Sequence, residues 1–346
     1  MTALRTARPT PRRQRGINMV ELLISMAIGL FLLAGLVGIF VNSSQTSAEL
    51  QKSSAQLENG RYAMQTIVED LSLAGFYGYY SPTAATATPD PCSTTIADIT
   101  DGMKAPVYGV AGAGALWSGA ACLPTDNRLA GTGVLVVRRA DTNTTSGSNF
   151  VVGETYMQAN ANPDDPANPK VAVATATNGT TSTSGTYPLR LKDNSTVAPV
   201  RKVHTHIYFI SPCSQPLECT GTSADDGIPT LKRIEVSSAA AGGYTVVPIA
   251  EGIENLQFEY GIDADGDGAP ETPFVDTPPS AAAWSNVVAV QVWLLARNIE
   301  TSAGYVDSKT YNLGASTSVT PNDGYKRHAY SGLVRVVNSS QRRETP

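Results

Sequence analysis

Three aspartates at alternate positions are the side chains in this sequence whose spacing best suits a metal ion. Asp263, Asp265 and Asp267 are followed directly by Gly268, and Glu271 lies a few residues further along. Alternate carboxylates can converge on a hard cation such as Ca²⁺, while the glycine allows the sharp turn that wraps the ion. We therefore consider Asp263, Asp265, Asp267 and Glu271 as calcium ligands of an exposed loop.

The same loop has a simpler interpretation. An EF-hand is excluded because its twelfth position is Phe274 instead of a bidentate glutamate, and because the flanking residues have the pattern of strands. Asp-Gly pairs are also common in tight β-hairpin turns. A weak calcium loop and an acidic hairpin turn both remain open.

Two histidines form the second candidate site. His204 and His206 are two residues apart on a predicted strand, so they share one face, where they could bind Zn²⁺. The sequence supplies no third ligand, because His328 is remote, and exposed structural histidines are the favoured interpretation. A pocket that joined both histidines to an acid would favour an enzyme instead. No Gly-x-Ser-x-Gly motif is present, so we expect no catalytic residues.

The four cysteines indicate disulfides. Cys92, Cys122, Cys213 and Cys219 form no Cys-x-x-Cys pair. Only 16% of the residues are charged, against a usual value of about 25%, which is typical of an exported protein. We favour the pairs Cys92–Cys122 and Cys213–Cys219, because each would close a local loop, and four free thiols are the alternative.

The N-terminus has the composition of a membrane segment. Residues 1–16 contain five arginines and no acid, whereas the whole chain carries a net charge of −5, which does not favour nucleic-acid binding. Residues 22–41 contain no charge, and twenty helical residues span about 30 Å, the thickness of the hydrocarbon core of a bilayer. The arginines should stay cytoplasmic, with the rest of the chain outside.

Glu21 is unusual because it directly precedes this apolar segment. A carboxylate there is costly in lipid unless it is paired or reaches the headgroups. If the chain is cut after Gly16, the new α-amine of Ile17 could pair with Glu21 of a neighbouring copy. An interfacial residue and a docking charge are the two interpretations.

The helix is predicted to continue to residue 74, because residues 42–74 lack proline. Leu50, Leu57 and Met64 repeat every seven residues, which predicts an amphipathic helix packed on a core; a coiled coil is less favoured. The predicted segments are a leader 1–16, a membrane half 17–41, an amphipathic half 42–75 and a β-rich head 76–346. Strands are expected at 131–139, 187–192, 203–210, 231–236, 244–249, 253–260, 287–297 and 325–337, with long loops at 140–148 and 159–185.

Residues 15–22 (RGINMVEL) resemble the class III signal of type IV prepilins. The resemblance implies that prepilin peptidase cleaves between Gly16 and Ile17, that Ile17 is N-methylated, and that Glu21 docks subunits.

Residues 249–263 (IAEGIENLQFEYGID), the LLAR motif at 294–297 and the terminal segment with Arg327 resemble PilW-type minor pilins. This resemblance implies an α+β, pilin-like lollipop with the long helix packed on an antiparallel β-sheet head. It implies a protein of the bacterial inner membrane, with its head in the periplasm, that later reaches the pilus tip. Its implied partners are other minor pilins, the major pilin and a tip adhesin, and its implied processes are pilus priming, adhesion and twitching motility. A large J-like pseudopilin of type II secretion and a membrane-anchored periplasmic enzyme are the alternatives.

Overall fold

The computed structural model defines four α-helices and twelve strands within the residues that it describes. These residues are 16, 18–112, 114, 116–117, 121–124, 127–146, 149–162, 170–177, 187–215, 219 and 225–344. The helices are α1 (Met19–Leu73), α2 (Ile96–Gly102), α3 (Ala281–Ser285) and α4 (Val337–Arg343). The strands are β1 (Val107–Val110), β2 (Val134–Ala140), β3 (Thr155–Ala159), β4 (Val171–Thr175), β5 (Val200–Ser211), β6 (Thr230–Val236), β7 (Tyr244–Glu251), β8 (Ile253–Ile262), β9 (Val287–Arg297), β10 (Tyr311–Asn312), β11 (Ser318–Val319) and β12 (Arg327–Arg335).

The long helix is confirmed as one continuous element, α1. It ends where Gly75 takes a φ of +73°, the left-handed conformation that glycine adopts most easily after a helix. The contacts divide the chain into two compact units, and the boundary lies within α1 between Gln51 and Lys52. The predicted leader, apart from Gly16, and Ile17 lie outside the described residues.

The prediction of an apolar stripe on α1 is wrong for its first two leucines. Leu50 and Leu57 are 67% and 37% exposed. A Cβ atom on Gly60 would lie 2.3 Å from Cε2 of Tyr330, so the ring of Tyr330 packs where a larger side chain would stand. In this part of α1, small residues therefore line the face that packs against other side chains. The buried positions recur every three or four residues: Gln56, Gly60, Ala63, Ile67, Asp70 and Leu71.

Antiparallel pairing joins the strands into three sheets in the part of the chain that the structure describes. The largest has seven strands around β5, which pairs with β2, β3 and β6. A second sheet has the order β12-β9-β8, so the apolar strand β9 is central, as its composition predicts. The third sheet pairs β10 with β11. Side chains from α1 and from the first two sheets form one core that includes Ala63, Ile67, Leu71, Leu135, Leu231, Leu256 and Val290.

The chain moves from the large sheet to the three-stranded sheet at Gly252. Strand β7 pairs with β6 in the large sheet, whereas β8, which follows after the single residue Gly252, pairs with β9. Gly252 has a φ of +74°, and a Cβ atom there would lie 2.6 Å from the backbone oxygen of Arg297. This close approach of two backbones requires glycine.

Residues 187–192 do not form the predicted strand. Pro188 has no N–H group, and the N–H of Leu189 pairs with the side chain of Gln158 instead of with a neighbouring strand. Gln158 Nε2 donates to the oxygen of Leu189 at 3.0 Å, and the N–H of Leu189 donates to Gln158 Oε1 at 2.7 Å. The predicted loop 159–185 also differs, because its described part contains β4.

Two disulfides close loops of the head. Cys92 joins Cys122, with a Cα–Cα distance of 5.5 Å, and Cys213 joins Cys219, with a Cα–Cα distance of 5.8 Å. These are the pairs that the sequence favours.

Candidate functional site

The N-terminal part of α1 presents an apolar surface. Over residues 22–41 the side chains are exposed, apart from the half-buried Gly29. The helix includes an 18-residue window of mean hydropathy 2.6, and its length and composition suffice to cross a membrane. Burying such a surface requires lipid or other apolar helices, because exposure to water is unfavourable.

Glu21 lies in the first turn of α1, and it is exposed. Its backbone oxygen accepts a hydrogen bond from Ser25 Oγ at 2.8 Å, whereas its carboxylate has no partner among the residues that the structure describes. Gly16 is exposed, and Ile17 lies outside the described residues, so the processing of this segment stays a prediction.

A buried acid on the same helix was missed by the sequence analysis. Asp70 is 5% exposed, and its Oδ2 accepts hydrogen bonds from the hydroxyl of Tyr208 at 2.9 Å and from Nδ1 of His206 at 2.7 Å. Its Oδ1 accepts one from Nε of Arg139 at 2.6 Å. Burial raises the pKa of Asp70, but the hydrogen bonds and charges of His206 and Arg139 outweigh burial and hold that pKa well below its ordinary value. These contacts fix α1 to β2 and β5.

The two histidines lie on one face of β5, as predicted, with ring centroids 5.4 Å apart. The expected exposure is wrong, because His206 is buried against Asp70 and His204 is half-buried. Burial, together with the charges of His206 and Arg139, lowers the pKa of His204 to about 4.

These histidines share a cavity of about 240 Å³ with acids, which is the condition for reconsidering an enzyme. Its lining includes Glu154, Lys202 and Glu235, and Lys202 is paired with Glu154 at 2.9 Å. Within the described residues, neither imidazole hydrogen-bonds to a serine, threonine or cysteine that could act as a nucleophile. In the described chain, two groups of three possible metal ligands occur elsewhere and do not include these histidines. One is the aspartate loop, and in the other, Cys213, Cys219 and Asp225, the two cysteines are bonded to each other.

The aspartate loop brings three of its four predicted ligands together. One carboxylate oxygen each from Asp263, Asp265 and Asp267 lies within 4.8 Å of the others. Glu271 faces backbone donors instead, since it accepts hydrogen bonds from the N–H groups of Ala264 at 2.8 Å and of Asp265 at 3.2 Å. The geometry suits both an acidic turn and a weak cation loop.

Asp263 is buried in this loop and already has a cationic partner. Its carboxylate accepts hydrogen bonds from the N–H groups of Gly266 at 2.6 Å and Gly268 at 3.0 Å, and from Arg343 Nε at 2.5 Å. Burial raises the pKa of Asp263, but Arg343 and the two backbone donors outweigh it, so the pKa lies below its ordinary value. Calcium binding stays a prediction.

A buried cluster of charges joins the segments on which the family resemblance rests. The side chain of Arg327, on β12, is fully buried and pairs with Glu254 on β8, and with Asp307 and Asp323 in the loop between β9 and β12. Asp307 is also fully buried, and it accepts a hydrogen bond from the hydroxyl of Tyr311 at 3.0 Å. The sequence identified Glu254 and Arg327 only as parts of a motif.

Comparison with known proteins supports the resemblance. Residues 208–338 match the family model of type IV pilus-assembly protein W. A search of curated proteins found no significant match.

Among solved structures, a chain of the GspK-GspI-GspJ complex of the type 2 secretion system from enterotoxigenic Escherichia coli aligns with 80% of this chain and 96% of its own length, at 12% identity and a TM-score of 0.27. A type IV-like pilin from Thermus thermophilus aligns with 39% of this chain and 79% of its own length, at 17% identity and a TM-score of 0.19. The match to the pilus-assembly protein W family over residues 208–338 confirms the family resemblance that the motifs of this region indicate.

Proposed function

We propose that this protein is a minor pilin that acts in a tip or priming complex of a type IV pilus. One observation carries the proposal: the N-terminal part of α1 is an exposed, uncharged segment, preceded by Glu21, whose carboxylate has no partner among the described residues. This helix belongs to a chain whose residues 208–338 match the pilus-assembly protein W family. An anchor and an assembly surface on one helix suit a subunit that moves from a membrane into a filament.

The chemistry of the apolar segment supports two successive environments. Before assembly, residues 22–41 lie in the inner membrane, with the head in the periplasm. In the pilus the same side chains pack against the apolar helices of neighbouring subunits, where close packing replaces contact with lipid. The function is therefore assembly, and no catalysis is assigned to the protein.

The proposed partners follow from these environments. Prepilin peptidase removes residues 1–16, and Glu21 then pairs with the α-amine of a neighbouring subunit. Other minor pilins and the major pilin surround the helix, and the head meets a tip adhesin. Adhesion and twitching motility depend on the resulting pilus.

A deletion strain tests the proposal. We expect few or no surface pili and no twitching in the strain, with both restored by the wild-type gene. Mass spectrometry of the purified protein should find Ile17 as a methylated N-terminus, and a strain without prepilin peptidase serves as the control.

Normal pili and normal twitching in the deletion strain would contradict the proposal. If pili are normal but the secretion of folded exoproteins fails, the protein is a pseudopilin of type II secretion instead.

A further inference from the structure

The cavity that holds His204 and His206 also holds a third side chain of the kind that binds metal ions. His206 and Glu235 lie directly opposite each other on β5 and β6, so their side chains share one face of the sheet. His204 lies two residues away on the same face of β5. All three side chains line the cavity of about 240 Å³. A neighbouring strand thus supplies the third ligand that the sequence alone does not identify.

His206 has the environment of a metal-binding histidine. Its Nδ1 lies 2.7 Å from Oδ2 of Asp70, which also accepts a hydrogen bond from the hydroxyl of Tyr208. Because the pKa of Asp70 lies well below its ordinary value, the carboxylate is ionised and only accepts, so Nδ1 carries the proton. In the neutral ring the lone pair is then on Nε2, which forms no hydrogen bond with any described residue. Histidine ligands usually have such a carboxylate behind their other nitrogen.

Glu235 likewise has one oxygen held and one oxygen available. Arg233 donates to Oε1 of Glu235 from its Nε, at 3.1 Å, and from its Nη2. Oε2 of Glu235 forms no hydrogen bond within the part of the chain that the structure describes. Burial raises the pKa of this carboxyl, but Arg233 and the two histidines outweigh burial and lower it, so the carboxylate is ionised and within electrostatic reach of both rings. Ligating carboxylates are commonly held by such a hydrogen-bonding partner.

The two imidazoles have the spacing of rings that share one ion. Their centroids are 5.4 Å apart, and their planes are inclined by 53°. Two imidazoles bound to one tetrahedral Zn²⁺, with Zn–N distances of about 2.1 Å, have ring centroids about 5 Å apart. The ligand atoms of the three side chains are not all within 4.8 Å of one another. Binding therefore requires the side chain of Glu235, which is 37% exposed, to rotate toward the histidines.

The charges around the histidines favour a cation. Four carboxylates contact the histidines or line the cavity, and three of them are paired with a cation: Asp70 with Arg139, Glu154 with Lys202, and Glu235 with Arg233. The fourth, Asp141, has its Oδ2 3.6 Å from Nε2 of His204 and no other cationic partner among the described residues. Burial and nearby positive charge lower the pKa of His204 to about 4, so this ring is neutral at neutral pH. With both rings neutral, the group has one negative charge in excess.

We propose that His204, His206 and Glu235 form a binding site for Zn²⁺. The ligand atoms are Nε2 of His206, one ring nitrogen of His204 and Oε2 of Glu235, and a water molecule completes the tetrahedral set. Two imidazoles and a carboxylate suit Zn²⁺ better than Ca²⁺ or Mg²⁺, which prefer oxygen ligands. The bound ion cross-links β5 to β6 and, through His206 and Asp70, helps to hold α1 on the large sheet. The site is independent of the proposed role in pili.

Titration of the full chain with Zn²⁺ tests the site. The protein is purified in detergent without a polyhistidine tag and freed of metal with EDTA, and calorimetry measures the affinity and the number of ions bound. We expect one Zn²⁺ per chain. His204→Gln and Glu235→Gln should each weaken binding by about 100-fold or more, since even loss of a partner behind a ligand costs about 10- to 100-fold. Glu154→Gln, in the same cavity, and His328→Gln, on β12, are the matched controls and should bind like the wild type.

Two further measurements identify the ligands and guard against misfolding. Co²⁺ in place of Zn²⁺ absorbs visible light strongly in a four-coordinate site, and we expect this absorption in the wild type but not in His204→Gln or Glu235→Gln. The double variant Asp265→Ala, Asp267→Ala should keep it, because the aspartate loop is a separate group. Zn²⁺ should raise the melting temperature of the wild type, and the melting temperature of each variant without metal confirms its fold. Glu235 is half-buried, so its replacement by glutamine, which keeps an oxygen for Arg233, is compatible with folding.

Absence of Zn²⁺ binding by the wild type, or equal binding by the wild type and His204→Gln, would overturn the proposal. Normal binding by Glu235→Gln together with loss of binding in Glu154→Gln would assign the third ligand to Glu154, and it would also overturn the proposal. Because the titration does not depend on pili, a chain that binds Zn²⁺ at these residues and yet has no role in pili would contradict the proposed function alone.

Discussion

Arg327 and Glu254 form a bidentate ion pair although β9 separates their strands. Nε of Arg327 lies 2.5 Å from Oε2 of Glu254, and Nη2 of Arg327 lies 2.9 Å from Oε1. A bulge between Ile253 and Asn255 leaves Glu254 out of the register with β9. The ion pair therefore links β8 and β12, the two outer strands of the three-stranded sheet. These strands belong to the sequence segments that carry the resemblance to pilus-assembly protein W.

Removal of Arg327 should destabilise the head strongly. Its side chain and that of Asp307 are both fully buried, so Arg327→Met leaves a carboxylate without its cation in the core. We expect the free energy of unfolding to fall by about 3–5 kcal/mol, measured by urea denaturation in detergent.

Arg335→Met is the matched control on the same strand, because the ion pair between Arg335 and Glu344 is about half exposed. We expect a change below about 1 kcal/mol. Equal losses in the two variants would show that burial of the Arg327 cluster has no special role.

The long helix and most strands could be predicted because they depend on local patterns. An apolar segment without charge, followed by residues 42–74 without proline, determines α1. Local strand patterns predict β5, and the continuous apolar composition of residues 287–297 predicts β9; both strands lie close to the expected bounds. The two disulfide pairs could be predicted because each pair closes a local loop.

The buried charges could not be predicted in this way. Asp70 meets His206 and Tyr208, which are more than 130 residues away in sequence, and only the fold brings them together. The same limit applies to Tyr330, whose ring packs on Gly60 of α1, whereas Leu57 of the predicted stripe is exposed. A spacing of three between Ile67 and Asp70 was the one local sign that Asp70 shares the buried face.

Acid should destabilise the head through His204. Its pKa of about 4 in the folded chain lies below the ordinary value of 6.5, so the unfolded chain binds a proton first as the pH falls. Stability is then lost between pH 6.5 and about 4, by at most about 3 kcal/mol.

The variant His204→Gln should lose less stability over this range, and His328→Gln, which changes an exposed histidine on β12, should behave like the wild type. Asp70 has a lowered pKa, so its contribution is lost only below about pH 3.8 and does not overlap this range. Identical pH profiles for the wild type and His204→Gln would show that His204 does not sense acid.

The Cys92–Cys122 disulfide should stabilise the head more than Cys213–Cys219. The two bridges join residues separated by 30 and 6 positions, and cross-linking a longer loop removes more entropy from the unfolded chain. Replacing the first pair by serine should cost about 3–4 kcal/mol, and replacing the second pair about 2 kcal/mol. Peptide mapping without reductant should first find both bridges in periplasmic material; free thiols there would exclude them.

If the aspartate loop is a calcium site and not only an acidic turn, calcium should raise the melting temperature only slightly. Asp265 and Asp267 are exposed, but the oxygens of Asp263 already accept hydrogen bonds from two backbone groups and Arg343. We expect a gain of a few degrees at about 5 mM calcium, typical of weak extracellular sites. The double variant Asp265→Ala, Asp267→Ala should show no gain, and magnesium is the control ion. A wild type that does not respond to calcium would leave the acidic turn as the explanation.

Glu21→Ala should separate membrane insertion from assembly. The apolar segment 22–41 is unchanged, so the variant should remain in the inner membrane at the wild-type level, as fractionation would show. In the proposed assembly, the lost carboxylate leaves the α-amine of a neighbouring subunit without its counter-ion in an apolar environment, where an unpaired charge is costly. We expect incorporation into sheared pili to fall by about tenfold or more, as measured by immunoblotting. Glu21→Asp keeps the charge on a shorter side chain and should restore part of the incorporation, whereas Glu21→Gln keeps the length without the charge and should not. If Glu21→Gln assembles as well as the wild type, the charge has no role in docking, and Glu21 is an interfacial residue.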